Sequence, residues 1–157
     1  MKAASIKELK EELKLRSPND LQTLCLRLAR FKKENKELLT YLLFESSDEF
    51  AFIENVKAEM DEQFNDINRK NYYYIKQSIR KILANTKKYI RYSQKKQTEV
   101  ELLIYFCFKL KNFVPSIQYN TTLKNIYLRQ VESIKKTVAS LHEDLQFDYN
   151  QDLKELT

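Results

Sequence analysis

The sequence predicts an all-α protein of about seven helices, and three observations carry that expectation. The 157 residues contain no glycine and only two prolines, Pro18 and Pro115, where ordinary usage would supply about eleven glycines. Glycine gives the backbone φ > 0 for hairpin turns, bulges and phosphate-cradling loops, so its absence argues against strands joined by tight turns. Apolar residues recur at three- and four-residue steps along most of the chain, and helix-start signals stand between these runs.

The first helix follows Ser5, which with Glu8 forms a capping box, and it carries Ile6, Leu9 and Leu13. Ser17 caps the second, with Pro18 at its first position and Asp20 near its positive end. Its periodicity predicts burial of Leu21, Leu24, Cys25, Leu28 and Phe31. A third helix, 34–44, turns Leu38, Leu39, Leu42 and Leu43 inward. Ser46 and Glu49 predict the cap of the fourth, whose seam is Phe50, Ile53, Met60, Phe64 and Ile67 with Lys57 in its polar slot. The fifth, 72–93, places Ile75, Ile79, Ile82, Leu83, Thr86 and Ile90 on one face.

Thr98 and Glu101 predict the start of the sixth helix, which is apolar almost all round through Phe113, as a central buried helix would be. The last long helix runs over 121–146 with the seam Tyr127, Val131, Ile134, Val138, Leu141 and Leu145. Residues 1–146 are expected to form one helical domain, with 147–157 a loosely ordered acidic tail. The pairing of helices of similar length favours stacked antiparallel hairpins, an α–α superhelix of the armadillo or tetratricopeptide kind; the alternative is a compact bundle.

Catalytic chemistry has little to work with. The only histidine is His142, beside Glu143 and Asp144 on what reads as a solvated helix end. Cys25 and Cys107 both fall in apolar helical patterns and are expected to be buried. Without glycine there is no Walker loop or nucleophile elbow. No catalytic, cofactor-binding or metal-binding residue is therefore assigned. The N-terminus lacks the apolar core of a signal peptide, and the longest apolar run, Leu102–Phe108, is far shorter than the roughly 20 residues that span a bilayer. A cytoplasmic setting is expected.

Charge is unevenly placed within a net of +6. Residues 45–66 hold eight acids against Lys57, whereas 67–98 hold ten bases and no acid. At about 100° per residue, Lys76, Arg80, Lys87 and Arg91 run up one flank of the fifth helix. Tyr74, Lys81, Lys88, Tyr92 and Lys95 run up the other. With Arg69, Lys70 and Tyr73 these twelve residues are the candidate macromolecule-binding surface. Cations that displace counterions, interleaved with rings that can stack on bases, suit a nucleic-acid backbone. Alternatively, the acidic fourth helix packs antiparallel to the basic fifth and neutralises it.

The stretch Asn71-Tyr72-Tyr73-Tyr74, through Arg80-Lys81-Ile82-Leu83 and Lys88-Tyr89-Ile90-Arg91-Tyr92-Ser93 to Thr98-Glu99-Val100-Glu101-Leu102-Leu103, resembles uncharacterised bacterial all-helical proteins. The resemblance implies a helical-repeat-like fold in a bacterial cytoplasm and brings no catalytic residue. The expected function is a non-enzymatic helical module that binds another macromolecule, a protein partner or a second copy, through the fifth helix. Nucleic-acid binding by the same helix is the alternative, and no small-molecule substrate is evident.

Overall fold

The computed structural model describes residues 1–157 as eight α-helices without a strand. They are α1 (Ile6–Lys14), α2 (Pro18–Phe31), α3 (Lys33–Thr40), α4 (Glu49–Asn65), α5 (Tyr72–Ser93), α6 (Lys96–Lys111), α7 (Thr121–Ala139) and α8 (Glu143–Leu156). A π-helical turn, Tyr41–Glu45, follows α3, and a 3-10 turn, Ile117–Tyr119, precedes α7. The chain divides into two compact units, Met1–Phe44 and Glu45–Thr157.

In the first unit the expected caps form. Ser5 and Glu8 close a full capping box, and the Ser17 hydroxyl accepts from the Asp20 amide with Pro18 behind it. Helices α2 and α3 make a hairpin joined through the extended residue Lys32, and Asn35 Nδ2 donates to the Leu28 carbonyl at 2.8 Å. The expected burial does not occur, and none of α1, α2 or α3 contains a buried residue. Leu24, Leu28 and Phe31 are exposed, as are Leu38, Leu42 and Leu43, and Cys25 is an exposed free thiol. The physical reason is size: 44 residues have too little chain to enclose an apolar face of their own.

The second unit is built around α6, which contacts α4, α5, α7 and α8. Its Phe106, Val100, Leu102, Cys107 and Leu110 have no solvent exposure, as expected for an all-apolar central helix. Helix directions alternate. Glu49 and Glu59 of α4 meet Ser93 and Tyr89 of α5 respectively, so these two run antiparallel. Asp61 meets Tyr105, and Tyr149 and Lys111 reach Glu101 and Glu155, so α4, α6 and α8 share one direction. Because α4 packs on α5 and α7 on α8, the order around α6 is α5, α4, α8, α7. For residues 45–157 the compact bundle is the architecture.

Four local expectations are corrected. Asp48, not Ser46, caps α4, accepting from the Ala51 amide at 3.1 Å. Glu49 is thereby left to accept from the hydroxyls of Ser93 and Thr98. Thr98 is therefore a buried donor inside α6, which begins two residues earlier at Lys96. In the first half of α4 the buried pair is Phe52 and Val56 rather than Phe50 and Ile53, with the Phe52 ring edge-on to Tyr89 at 6.0 Å.

The helix expected over 121–146 breaks at Ser140–Leu141. His142 takes an extended conformation, and its Nδ1 accepts from the Asp144 amide to cap α8, with Glu143 and Asp144 at the positive end. Gln146 reaches back to the carbonyls of Ala139 and Leu141, which satisfies the end of α7. Residues 147–157 are thus no loose tail. They complete α8, whose Tyr149, Leu153 and Leu156 join the core.

The lack of glycine leaves one visible mark on the backbone. Gln94, the C-cap of α5, is the only residue with positive φ, at 58°, and its amide donates to the Ile90 carbonyl. A side chain in this left-handed conformation costs about 1–2 kcal/mol, which glycine avoids. Gln94→Gly is expected to raise stability by about 1 kcal/mol after its own entropic cost. An unfolding midpoint that rises in denaturant checks this; a fall would show that the Gln94 side chain stabilises the α5–α6 corner.

Candidate nucleic-acid interface

Charge in the second unit is sorted by helix. Helix α5 carries six bases and no acid, and α7 four bases against Glu132. Helices α4 and α8 each carry five acids against one base. Given the order around α6, the two basic helices are neighbours and so are the two acidic ones.

On the acidic side, the Tyr105 hydroxyl donates its one hydrogen between the two Asp61 oxygens, at 2.8 and 2.9 Å, and Asp61 pairs with Lys109 at 2.9 Å. Burial works against its charged form, but the bonds from Lys109 and Tyr105 win and hold the carboxyl below its ordinary range. Tyr105 is pushed up to about 12, first by burial and then by Asp61. Asp152 is raised, first by burial and then by Glu101, Glu155 and Asp148, against the pull of Lys57. A surface of this kind repels anions.

On the basic side α5 and α7 run parallel and enclose a groove of about 490 Å³. Arg80, Leu83, Ala84 and Lys87 form one wall, and Thr122, Asn125, Ile126 and Arg129 the other. Three cations and no acid line it. Leu83 and Ile126 also pack on the core, which fixes both walls to the bundle. The larger cleft beside α4, about 680 Å³, has mixed charge that is largely paired internally: Lys57 with Glu54 and Glu101, and Lys95 with Glu49.

The α4–α5 contact does not consume the bases of the groove. Glu59 accepts from Asn85 at 2.9 Å and from Tyr89 at 2.8 Å, so neutral side chains of α5 satisfy it. Asn85, Tyr89 and Ser93 lie more than 100° round the helix from Arg80. Lys76, Lys87 and Arg91 lie within about 40° of Arg80, on the side turned to α7. None of Lys76, Arg80, Lys87, Arg91 or Arg129 is in an ion pair.

The structure separates the twelve sequence candidates. Lys76, Arg80, Lys87 and Arg91 form the groove stripe, and Tyr73 falls on its continuation at 62% exposed. Tyr74 is exposed beside it, the two rings edge-on at 5.5 Å. Lys81 is exposed on the second flank, and Lys88, half-buried, lies over the Tyr89 ring. Tyr92 is withdrawn: it is 9% exposed and packs edge-on against Tyr89. Lys95 is engaged by Glu49. Arg69 serves the fold, donating to the Val114 carbonyl at 2.8 Å over the Phe113 ring, and Lys70 is exposed in the turn before α5.

The α7 half of the groove, Thr122, Asn125 and Arg129, was not among the sequence candidates. Lys136 continues its stripe seven residues beyond Arg129. The available signal was the excess of bases over acid in α7. Elsewhere, burial pushes the Cys107 thiol up to about 12, and His142 is an exposed cap. No group of three or more His, Cys, Asp or Glu residues is placed to hold a metal ion, and no helix is long and apolar enough to cross a membrane.

Comparison with family models, curated proteins and solved structures finds no match. The functional reading therefore rests on the geometry.

Proposed function

We propose that this chain is a non-catalytic binding module whose α5–α7 face takes up nucleic acid through its phosphates. The observation that carries the reading is the unpaired cationic groove: Arg80 and Lys87 on one wall face Arg129 on the other, and no acid lines it. Phosphates entering such a groove release counterions, and the acidic α4–α8 side orients the approaching polyanion. Fluorescence anisotropy of a labelled oligonucleotide, titrated with the full chain, tests it. Binding is expected at low salt, with log K falling linearly as log salt rises. No binding at low salt overturns the reading, and equal affinity for polyglutamate of matched charge assigns the face to an acidic protein instead.

Contact with another protein chain, a second copy included, is favoured by a separate observation in residues 1–44. Ile6, Leu9 and Leu13 form an exposed stripe on α1, and α2 and α3 flank an apolar cleft lined by Leu28, Leu38 and Leu42. Apolar exposure on this scale marks interaction surfaces. Sedimentation of the full chain across a concentration series checks self-association, and a constant monomer mass removes it.

A further inference from the structure

Resting on the nucleic-acid reading of the α5–α7 face, we infer that the strand it takes is single, with bases stacked on Tyr73 and Tyr119 at one end of the cationic groove. Tyr73 lies on the groove stripe of α5, seven residues before Arg80, about 10 Å along the helix axis. Tyr119 stands three residues ahead of Thr122 on the other wall and is 84% exposed, the most open aromatic ring of the chain. The Tyr72 hydroxyl donates to the Ser116 carbonyl at 3.0 Å, which ties the first turn of α5 to the segment carrying Tyr119. Tyr73 and Tyr119 therefore both belong to the end of the bundle where α5 and α7 begin, just beyond the residues that line the groove.

Three physical features select a single strand. The cations line an open groove of about 490 Å³ between two helices, within the size range of small-ligand sites. A flexible single strand can follow it between the two walls. Leu83, Ala84 and Ile126 give the groove apolar surface for sugars and bases, and Thr122 and Asn125 add hydrogen-bonding groups. Exposed rings gain stacking only from bases whose faces are open, which a duplex hides. Neither hydroxyl is held by another protein group, so each ring is available as a platform.

The test compares a fluorescein-labelled oligothymidine with a hairpin duplex of equal phosphate count, each titrated with the full chain by anisotropy. The single strand is expected to bind at least tenfold tighter. Tyr73→Ala/Tyr119→Ala is expected to lose at least tenfold of that affinity, and Tyr73→Phe/Tyr119→Phe to keep it, since stacking needs the ring and not the hydroxyl. Tyrosine emission should be quenched by the strand in the wild type. Equal affinity for strand and duplex, or an alanine pair that binds as the wild type does, overturns the inference while salt-dependent binding leaves the cationic face standing. Binding to neither probe at low salt overturns both.

Discussion

Replacing Arg80, Lys87 and Arg129 together by alanine is expected to weaken single-strand binding about fiftyfold at 0.15 M salt, if each meets one phosphate. The slope of log K against log salt should become shallower by about 2, because each lost contact on a single strand removes about 0.7 of a released counterion. Arg80 and Lys87 stand on α5 and Arg129 on α7, on opposite walls of the groove. A matched removal of charge from α1, Lys7→Ala/Lys10→Ala/Lys14→Ala, separates a local site from net charge. That variant should move the affinity by no more than a few-fold. Equal losses in the two triples would mean that overall charge, not the groove, attracts the polyanion. Folding should be little changed in both, since Arg80, Lys87 and Arg129 are exposed and outside any ion pair, and the one pair lost from α1, Lys14 with Glu11, is itself exposed.

Ending the chain at Gln146 is expected to destabilise the 45–157 unit by several kcal/mol, a large part of the 5–15 kcal/mol margin of an ordinary domain. The truncation removes Tyr149, Leu153 and Leu156, each about 5% exposed, and uncovers the faces of α6 and α7 beneath them. Burial of each such side chain contributes about 1.5–3 kcal/mol. The Tyr127 hydroxyl also loses its acceptor, the Leu156 carbonyl, and Glu101 loses the Tyr149 hydroxyl. Urea denaturation followed by circular dichroism reads the effect. Leu153→Ala, which keeps α8, should cost about 2–5 kcal/mol by itself. A truncated chain as stable as the full one would show that 147–157 contributes nothing to the core.

How far the fold was legible depended on whether neighbours or local pattern decided each feature. Of the six residues predicted on one face of α5, Ile75, Ile79, Ile82 and Thr86 are buried and Leu83 and Ile90 half-buried, because a long amphipathic helix states its own inner side. At the start of α4 the pattern pointed to Phe50, and it is Phe52 that is buried. Its partner is the Tyr89 ring on a different helix, which no pattern local to α4 reveals. The break at Ser140 escaped because its cause is a side chain beyond it: Gln146 satisfies the carbonyls that a continuous helix would have bonded. For α2 the expected burial failed, because periodicity says which face needs cover and not whether the chain supplies it.

The candidate site divides in the same way. The stripe of Lys76, Arg80, Lys87 and Arg91 follows from helical spacing alone. Its other wall does not, because α5 and α7 are brought together by α6 packing against both, and nothing local to either helix encodes that adjacency. Tyr92 illustrates the opposite failure: it shares an angular position with exposed Lys81, but it packs on Tyr89 near the end of the helix.

Amide chemical-shift mapping of the full chain during titration with an oligonucleotide locates the bound strand directly. The expected result is a perturbed set centred on 73–91 of α5 and 119–129 of α7, with α4 and α8 unmoved. Shifts centred on α8, or on residues 1–44, would contradict the assignment of the α5–α7 groove as the binding face.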